Sequence, residues 1–207
     1  MNETSKALIR RLHDVRYANT YFRGDGIDIG AGNDSLANYS QQFPLMTSVR
    51  SWDLPDGDAQ LMEGVADNSF DFVHSSHCLE HLVNPFDAYK NWLRICKPGG
   101  HIITTIPDED LYEQGVFPST HNFDHKSTWT ILKGKSWSPV SINVIELLYQ
   151  FRNEIEILKI ELVNGTFQYN QQRYDQTLHG ISECAIEFIV RKRPQSEIDK
   201  LGRLPND

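Results

Sequence analysis

The sequence is short of several things, and each shortage narrows what the protein can be. Its 207 residues include only three cysteines, Cys78, Cys96 and Cys184, with no C-x-x-C pair. An odd number at such spacing makes neither a disulfide framework nor a zinc knuckle, and points to a reducing, cytoplasmic setting. No apolar run approaches the roughly 20 residues that span a bilayer, and the first residues lack a signal peptide's apolar core, so no membrane partner is expected. Basic residues are not in surplus either: 20 Lys and Arg face 28 Asp and Glu, for a net charge of −8. Proteins that grip phosphate backbones concentrate Lys and Arg, so nucleic acid is not an expected partner. Internal repeats and low-complexity tracts are also missing. The remainder is an ordinary globular composition, 39% hydrophobic, and one domain large enough to bury a core without staples.

What is present alternates between two periodicities. Residues 3 to 22 carry Leu8, Ile9, Leu12, Val15 and Tyr17 as one apolar stripe, which predicts a helix that packs on the domain or forms a lid over a ligand. Ile27 to Ile29 reads as a buried strand running into Gly30-Ala31-Gly32, and a helix-compatible segment with Leu36, Tyr39 and Phe43 follows. Strand, glycine turn, helix is how an α/β protein presents backbone N–H groups to a nucleotide-like ligand. Leu45 to Trp52 forms a second strand, and the turn-rich Asp53 to Asp58 leaves no room for a full crossover helix. Phe70 to His74 is a third strand. Asn84 is an N-cap and Pro85 a first helical residue; Phe86, Tyr89, Leu93 and Cys96 recur at helical spacing until Lys97-Pro98-Gly99-Gly100 stops the helix. His101 to Ile106 is a β-branched strand. A helix starting at Ser138-Pro139, with Ile142, Ile145 and Leu148 on one face, precedes two late strands, Ile155 to Val163 and Cys184 to Arg191. Strands alternating with helices predict an α/β fold, a mostly parallel sheet with helices on both faces and an antiparallel C-terminal edge strand. The predicted organisation is a helical cap over 1–23, a main domain over 24–193 and a polar tail over 194–207.

Four motifs in order resemble a known family: Asp28-Ile29-Gly30-Ala31-Gly32, Asn68-Ser69-Phe70-Asp71-Phe72-Val73, Ser76-His77-Cys78-Leu79-Glu80-His81-Leu82 and Leu93-Arg94-Ile95-Cys96-Lys97-Pro98-Gly99-Gly100. Together they are similar to the class I S-adenosylmethionine-dependent methyltransferases, in particular the type 11 family, over roughly residues 24 to 107. The resemblance implies a Rossmann-like sheet of seven strands with S-adenosylmethionine at their carboxyl ends, S-adenosylhomocysteine being the product. It implies Gly30, Ala31 and Gly32 against the methionine part of the cofactor. Asp28 would orient the turn or reach the cofactor's amino group through water. Asp53, or Asp56, would accept from the ribose hydroxyls, and Asp58 with Ala59 would lie on the adenine side. Ser75, Ser76 and His77 would flank the sulfonium and the substrate. The usual third glycine of the turn is missing near Asn33-Asp34.

Transfer to a hydroxyl requires a positioned base. The long irregular segment 107–137 offers His121, Asp124 and His125, with His125 as base and Asp124 or His121 as its orienting partner. His77 is a second base candidate, and His81 reads as a residue that orients its loop. No metal is assigned: His121, Asp124 and His125 with Asp108 match no strong ligand signature. Trp129 and Trp137 could stack on a ring-shaped substrate, although packing is the commoner role. Asp175-Gln176-Thr177 could join the same site. The segment from Ile106 to Thr130 is loosely similar to methyltransferases of surface-polysaccharide and nucleotide-sugar pathways, which implies O-methylation of a sugar or sugar-linked small molecule. A carboxyl- or N-methyltransferase, or a non-catalytic cofactor-binding partner subunit, are the alternatives.

Overall fold

The computed structural model describes residues 3–203. Its order is α1 (Glu3–Leu12), β1 (Gly24–Ile29), β2 (Met46–Trp52), β3 (Phe70–Ser76), α2 (Pro85–Ile95), β4 (Cys96–Pro107), β5 (Thr128–Thr130), β6 (Ser141–Asn143), α3 (Val144–Gln150), β7 (Ile155–Val163), β8 (Ala185–Lys192) and α4 (Gln195–Asp199). Six strands form the main sheet in the order β2-β1-β3-β4-β8-β7, and β5 and β6 make a separate parallel pair. Strands β2, β1, β3 and β4 are parallel; β8 runs antiparallel to both β4 and β7. The late antiparallel pair is therefore present, with β7 rather than β8 at the edge. The main sheet has one strand fewer than the seven that the family resemblance implied. The reason lies between Trp52 and Phe70, where residues 53–69 form only turns, with neither a helix nor a further strand, burying Met62 and Val65 on the way.

Alternation along the strands builds a core on each face. Ile27 and Ile29, Val73, Ile102 and Ile106, and Ile186, Phe188 and Val190 point to one side, under α2 and α3. Phe72, Ile103 and Ile189 point to the other, where Leu8, Tyr17, Phe22, Leu36 and Phe43 cover them. Helix α2 begins where its sequence says it should: the Asn84 side chain accepts from the amides of Phe86 and Asp87, with Pro85 first in the helix. Its Tyr89, Trp92, Leu93 and Ile95 are buried, each contributing on the order of 2 kcal/mol by removal from water.

Three expected elements differ. The stripe over residues 3 to 22 does not form: α1 ends at Leu12, a separate π-helical turn covers Tyr17–Tyr21, and Ile9 (63% exposed) and Val15 (69%) face solvent. The buried face of α1 is Glu3, Thr4, Ala7, Leu8 and Arg11, chosen by an ion pair of Arg11 with Glu187 rather than by apolarity. Residues 36–42 form a 3-10 rather than an α-helix. The helix expected from Ser138 starts at Val144, after β6, and buries Val144, Leu147 and Leu148 while Ile145 is partly exposed. The tail is not wholly solvated: Glu197 of α4 pairs with Arg191, and Arg203 with Glu156. Residues 1, 2 and 204–207 of the predicted cap and tail lie outside the described residues.

Candidate active site

The strand order reverses at β1, since the chain leaves it for β2 on one side and returns as β3 on the other. The carboxyl ends of β1 and β3 are thus the place where an open parallel sheet leaves a crevice. Two cavities meet there. The larger, about 670 Å³, is lined by Gly30 and Gly32, by Asp53, Leu54, Asp58 and Ala59 after β2, and by His77, Cys78, His81 and Val83 after β3. The smaller, about 330 Å³, shares Gly30, Gly32, His77 and His81 and adds Ala31, Asp34, Ser76, Glu80, Asn122 and His125, with Glu3 and Thr4 of α1 as its roof. A third hollow, about 350 Å³, lies at the opposite end of the strands around Gly24, Asp71 and Gly100, away from this crevice.

The glycine turn is dictated by its surroundings. Gly30 has φ +75°, and a Cβ on it would come within 2.5 Å of the Cys78 Cβ. Gly32 has φ +50°, but a Cβ there would meet nothing within 4 Å, because it faces open space. One requires glycine for both conformation and room, the other for conformation alone. The turn is held to β2 by the Gly32 amide, which donates to Asp53 Oδ2 at 2.9 Å. Where a third glycine would be expected, Asp34 instead accepts from the amide and hydroxyl of Ser5 and from the Tyr39 hydroxyl. It accepts from an N–H in the first turn of α1, where a carboxylate is favourably placed, and ties that helix over the site.

Each predicted residue has a definite place. Asp28 is buried and lines neither cavity; its carboxylate accepts from the Leu36 amide at 2.7 Å and pairs with His74 Nδ1 at 2.6 Å, so it holds the turn. Ser75 is also buried and donates to the Ile29 carbonyl at 3.0 Å, across the strands rather than into the crevice. Asp53 lines the larger cavity, its Oδ1 accepting from the Leu54 amide; Asp56 accepts from the Asp53 amide and lies off the cavity wall. Asp58 and Ala59 are on that wall, Asp58 accepting from the Gln60 amide at 2.6 Å.

The histidines are paired differently from the expectation. His125 Nδ1 bonds to Glu113 Oε1 at 2.6 Å, neither to Asp124 nor to His121. Asp124 pairs with His81 Nδ1 at 3.0 Å and with Lys126. His121 lies edge-on to Tyr112 instead. The sequence neighbours part because Glu113 ends a buried π-helical turn, Glu109–Glu113, capped by Asp108, and only His125 points back to it. Asp108 is consumed in that cap, accepting from the Asp110 and Leu111 amides, so it joins no ligand set with His121, Asp124 and His125. Trp129 is in the core and Trp137 donates to Asp110; neither lines the crevice. Asp175 caps a turn, and the Thr177 carbonyl accepts from Lys6 of α1.

His77 stands where the two cavities join, with φ +53°. Burial, reinforced by His125, Lys6 and His81, pushes its imidazole down to about 3, so the ring is neutral near pH 7. Its Nε2 is buried without a hydrogen-bond partner, and so are both Glu80 oxygens and Glu3 Oε2.

Comparison with known proteins agrees with this geometry. Residues 15–104 match a family of the type 11 class whose description is "methyltransferase domain". Over that stretch the chain carries a methyltransferase domain, and its activity is that of an S-adenosylmethionine-dependent methyltransferase. No curated protein sequence matches this methyltransferase significantly. Its fold is similar to that of a protein from Bacillus halodurans described as a methyltransferase (TM-score 0.58, 13% identity, covering 90% of this chain and 99% of that one). A Listeria monocytogenes protein described as an S-adenosylmethionine-dependent methyltransferase gives 0.56 at 12% identity, covering 90% and 100%. A SAM-dependent methyltransferase from Archaeoglobus fulgidus gives 0.57 at 15% identity, covering 93% and 95%.

The methyltransferase's cofactor is S-adenosylmethionine, and the crevice has the features to hold it. The open face of Gly32 admits close approach of a ligand to backbone. Asp53 retains free lone pairs for hydroxyl donors, since a carboxylate accepts about four hydrogen bonds. Leu54, Ala59, Leu82 and Val83 give the larger cavity an apolar wall suited to a purine. The residues that sequence reasoning left without a role are Glu80, Glu113, Glu3 and Asp34. Glu80 was visible inside the Leu79-Glu80-His81-Leu82 motif and Asp34 at the place of the missing glycine; Glu3 and Glu113 gave no signal, because only the packing of α1 and of the loop before His125 brings them to the crevice.

Proposed function

We propose that this methyltransferase acts on a hydroxyl oxygen of a small molecule, a sugar, nucleotide-sugar or sugar-linked compound, with the acceptor in the smaller cavity. The observation that carries the reading is the lining of that cavity: Glu3, Thr4, Asp34, Ser76, His77, Glu80, Asn122 and His125 are all hydrogen-bonding groups, and three are acidic. Such a surface suits a neutral polyol and repels an acceptor carboxylate. The surface-polysaccharide setting rests on the resemblance of the segment from Ile106 to Thr130. Three free, buried cysteines suit a reducing, cytoplasmic compartment, and no helix of the described residues is long and apolar enough to cross a membrane.

The cofactor supplies an electrophilic methyl on a sulfonium, so the protein's work is alignment and proton removal. Gly30, Ala31 and Gly32 hold the methionine part, Asp53 the ribose, and Asp58 with Ala59 the adenine side. His77 receives the acceptor's proton at Nε2, the unpartnered nitrogen at the seam of the cavities, and the Glu3 and Glu80 carboxylates at 3.8 and 3.6 Å from its ring nitrogens stabilise the imidazolium that burial otherwise disfavours. His125, oriented by Glu113, and His81, oriented by Asp124, position the acceptor from the far wall. The test is a screen of neutral sugars, nucleotide sugars, carboxylates and amines with methyl-labelled cofactor, read by mass spectrometry. Label on a sugar hydroxyl is expected, and His77→Asn, which tolerates φ +53°, should lower turnover about 10²–10⁴-fold with cofactor affinity kept. Label confined to amines or carboxylates, or full turnover in His77→Asn, would sink the reading.

A further inference from the structure

Glu80 is fully buried, yet neither of its carboxylate oxygens has a hydrogen-bond partner. Three imidazole nitrogens face one of them: His77 Nδ1 at 3.6 Å, His81 Nε2 at 3.8 Å and His125 Nε2 at 3.9 Å from Oε1. All three distances are too long for hydrogen bonds. For two of the rings the tautomer follows from the other nitrogen. His81 Nδ1 bonds to Asp124, and His125 Nδ1 to Glu113. An ionised carboxylate only accepts, so each Nδ1 carries the proton, and Nε2 is the nitrogen left to face Glu80, with a bare lone pair whenever the ring carries a single proton. With single protons on the rings, two lone pairs converge on a carboxylate, and a metal cation among the three donors would satisfy all of them at once.

We propose that Glu80, His81 and His125 bind a divalent first-row transition metal ion. Their donor atoms lie within 4.8 Å of one another. Metal–ligand bonds of about 2.0–2.2 Å place neighbouring donors about 3.0–3.5 Å apart, so the ligands close in by well under an ångström on average. Two imidazoles and one carboxylate suit Mn²⁺, Fe²⁺, Co²⁺ or Zn²⁺ better than the all-oxygen preferences of Mg²⁺ or Ca²⁺. The Asp124 and Glu113 carboxylates fix each ring and raise its basicity, the usual support of a ligating histidine. Three protein ligands leave coordination positions open toward the smaller cavity, which all three residues line.

The ion site stands on these contacts alone; its use in catalysis rests on the hydroxyl-acceptor reading. An acceptor hydroxyl at an open position would have its pKa lowered. Its proton passes to His77 Nε2, its oxygen forms a bond to the methyl carbon as the carbon–sulfur bond breaks, and the electron pair of that bond stays on sulfur.

The test uses the full chain, stripped of metal and titrated with Co²⁺ under visible spectroscopy and calorimetry, with Zn²⁺ content measured after loading and dialysis. The expected result is one equivalent of either ion, with d–d bands of a low-coordinate cobalt site. Glu80→Gln and His125→Ala should lose at least 100-fold in affinity and Glu113→Gln about 10–100-fold, while His121→Ala keeps wild-type binding. Absence of a stoichiometric site in the wild type, or undiminished binding in Glu80→Gln, would overturn the proposal and leave a proton on Glu80 as the balancing charge. Should Glu80→Gln not fold, the wild-type stoichiometry and His125→Ala decide. Methyl transfer assayed on the same samples separates the two readings, since metal binding that survives with no methyl transfer to any hydroxyl refutes the acceptor assignment and not the ion site.

Discussion

Two clusters of buried polar groups lie within this methyltransferase, and they are built in opposite ways. One crosses the sheet face under α1. Asp28 pairs with His74, whose other nitrogen accepts from Arg11 at 3.0 Å; Arg11 forks onto Glu187 and Thr105; Glu187 also takes Arg10, Lys159 and the Tyr17 hydroxyl. None of these side chains has an orphaned buried atom. The other, around Glu80 at the carboxyl ends of the strands, leaves Glu80, His77, Glu3, Glu113 and His121 each with at least one. The difference teaches that burial of charge does not mark a functional site. A satisfied network fixes one fold, whereas a concentration of unsatisfied atoms at a crevice is what a ligand completes.

The sharpest way to break the comparison is to remove one carboxylate from each cluster. Glu187→Ala leaves Arg11 buried without its counter-charge and should lower stability by about 3–5 kcal/mol in urea titrations. Glu80→Gln in metal-free protein removes a charge that burial already drives toward protonation, and should change stability by less than about 1 kcal/mol or raise it. A large loss in Glu80→Gln would erase the distinction. The pH dependence sharpens it further. Burial alone would raise the Glu187 carboxyl, but Arg11, Arg10 and Lys159 outweigh it and hold the group far below the ordinary carboxylate range. Its contribution is therefore complete above the unfolded value of about 4.3 and shrinks as pH falls toward the depressed folded value. Thermal melts from pH 7 to 3 should show a steeper acid loss in the wild type than in Glu187→Gln.

Smaller effects are expected in the turn that joins the clusters. Gly30→Ala combines a left-handed backbone with collision against Cys78, and should cost about 2–4 kcal/mol and at least tenfold in cofactor affinity by calorimetry. Gly32→Ala has the backbone term alone and should cost about 1–2 kcal/mol. The smallest change in this turn is Asp34→Ala, which removes an acceptor for Ser5 and Tyr39. About 1 kcal/mol is expected, read as faster amide exchange in the first turns of α1 with the β-strands unaffected.

Much of the fold was legible in local pattern. The Asn84-Pro85 start of α2, the strand read over Phe70 to His74, which runs on to Ser76, and the missing helix after β2 each follow from interactions between residues a few positions apart. The face of α1 was not legible, because Arg11 is buried by a partner 176 positions away while the apolar Ile9 is left outside. The site divides in the same way. The glycine turn and the Leu79-Glu80-His81-Leu82 motif could be read directly. Adjacency suggested that Asp124 orients His125, whereas a rotation of one residue along the loop gives Asp124 to His81 and leaves His125 to Glu113.

By itself, the sequence determined the parallel sheet and the glycine turn at the end of β1, since periodicity and turn chemistry act over a few residues, and its four motifs carried the resemblance that implied the cofactor. Only the tertiary structure decided which histidine meets which carboxylate, why Asp34 stands where a glycine was expected, and that Glu80 is buried with no partner. Those outcomes depend on how segments as far apart as Ser5 and Asp34, or Glu80 and His125, pack together. Long-range electrostatics and burial are set by the whole fold and leave no local mark in the chain.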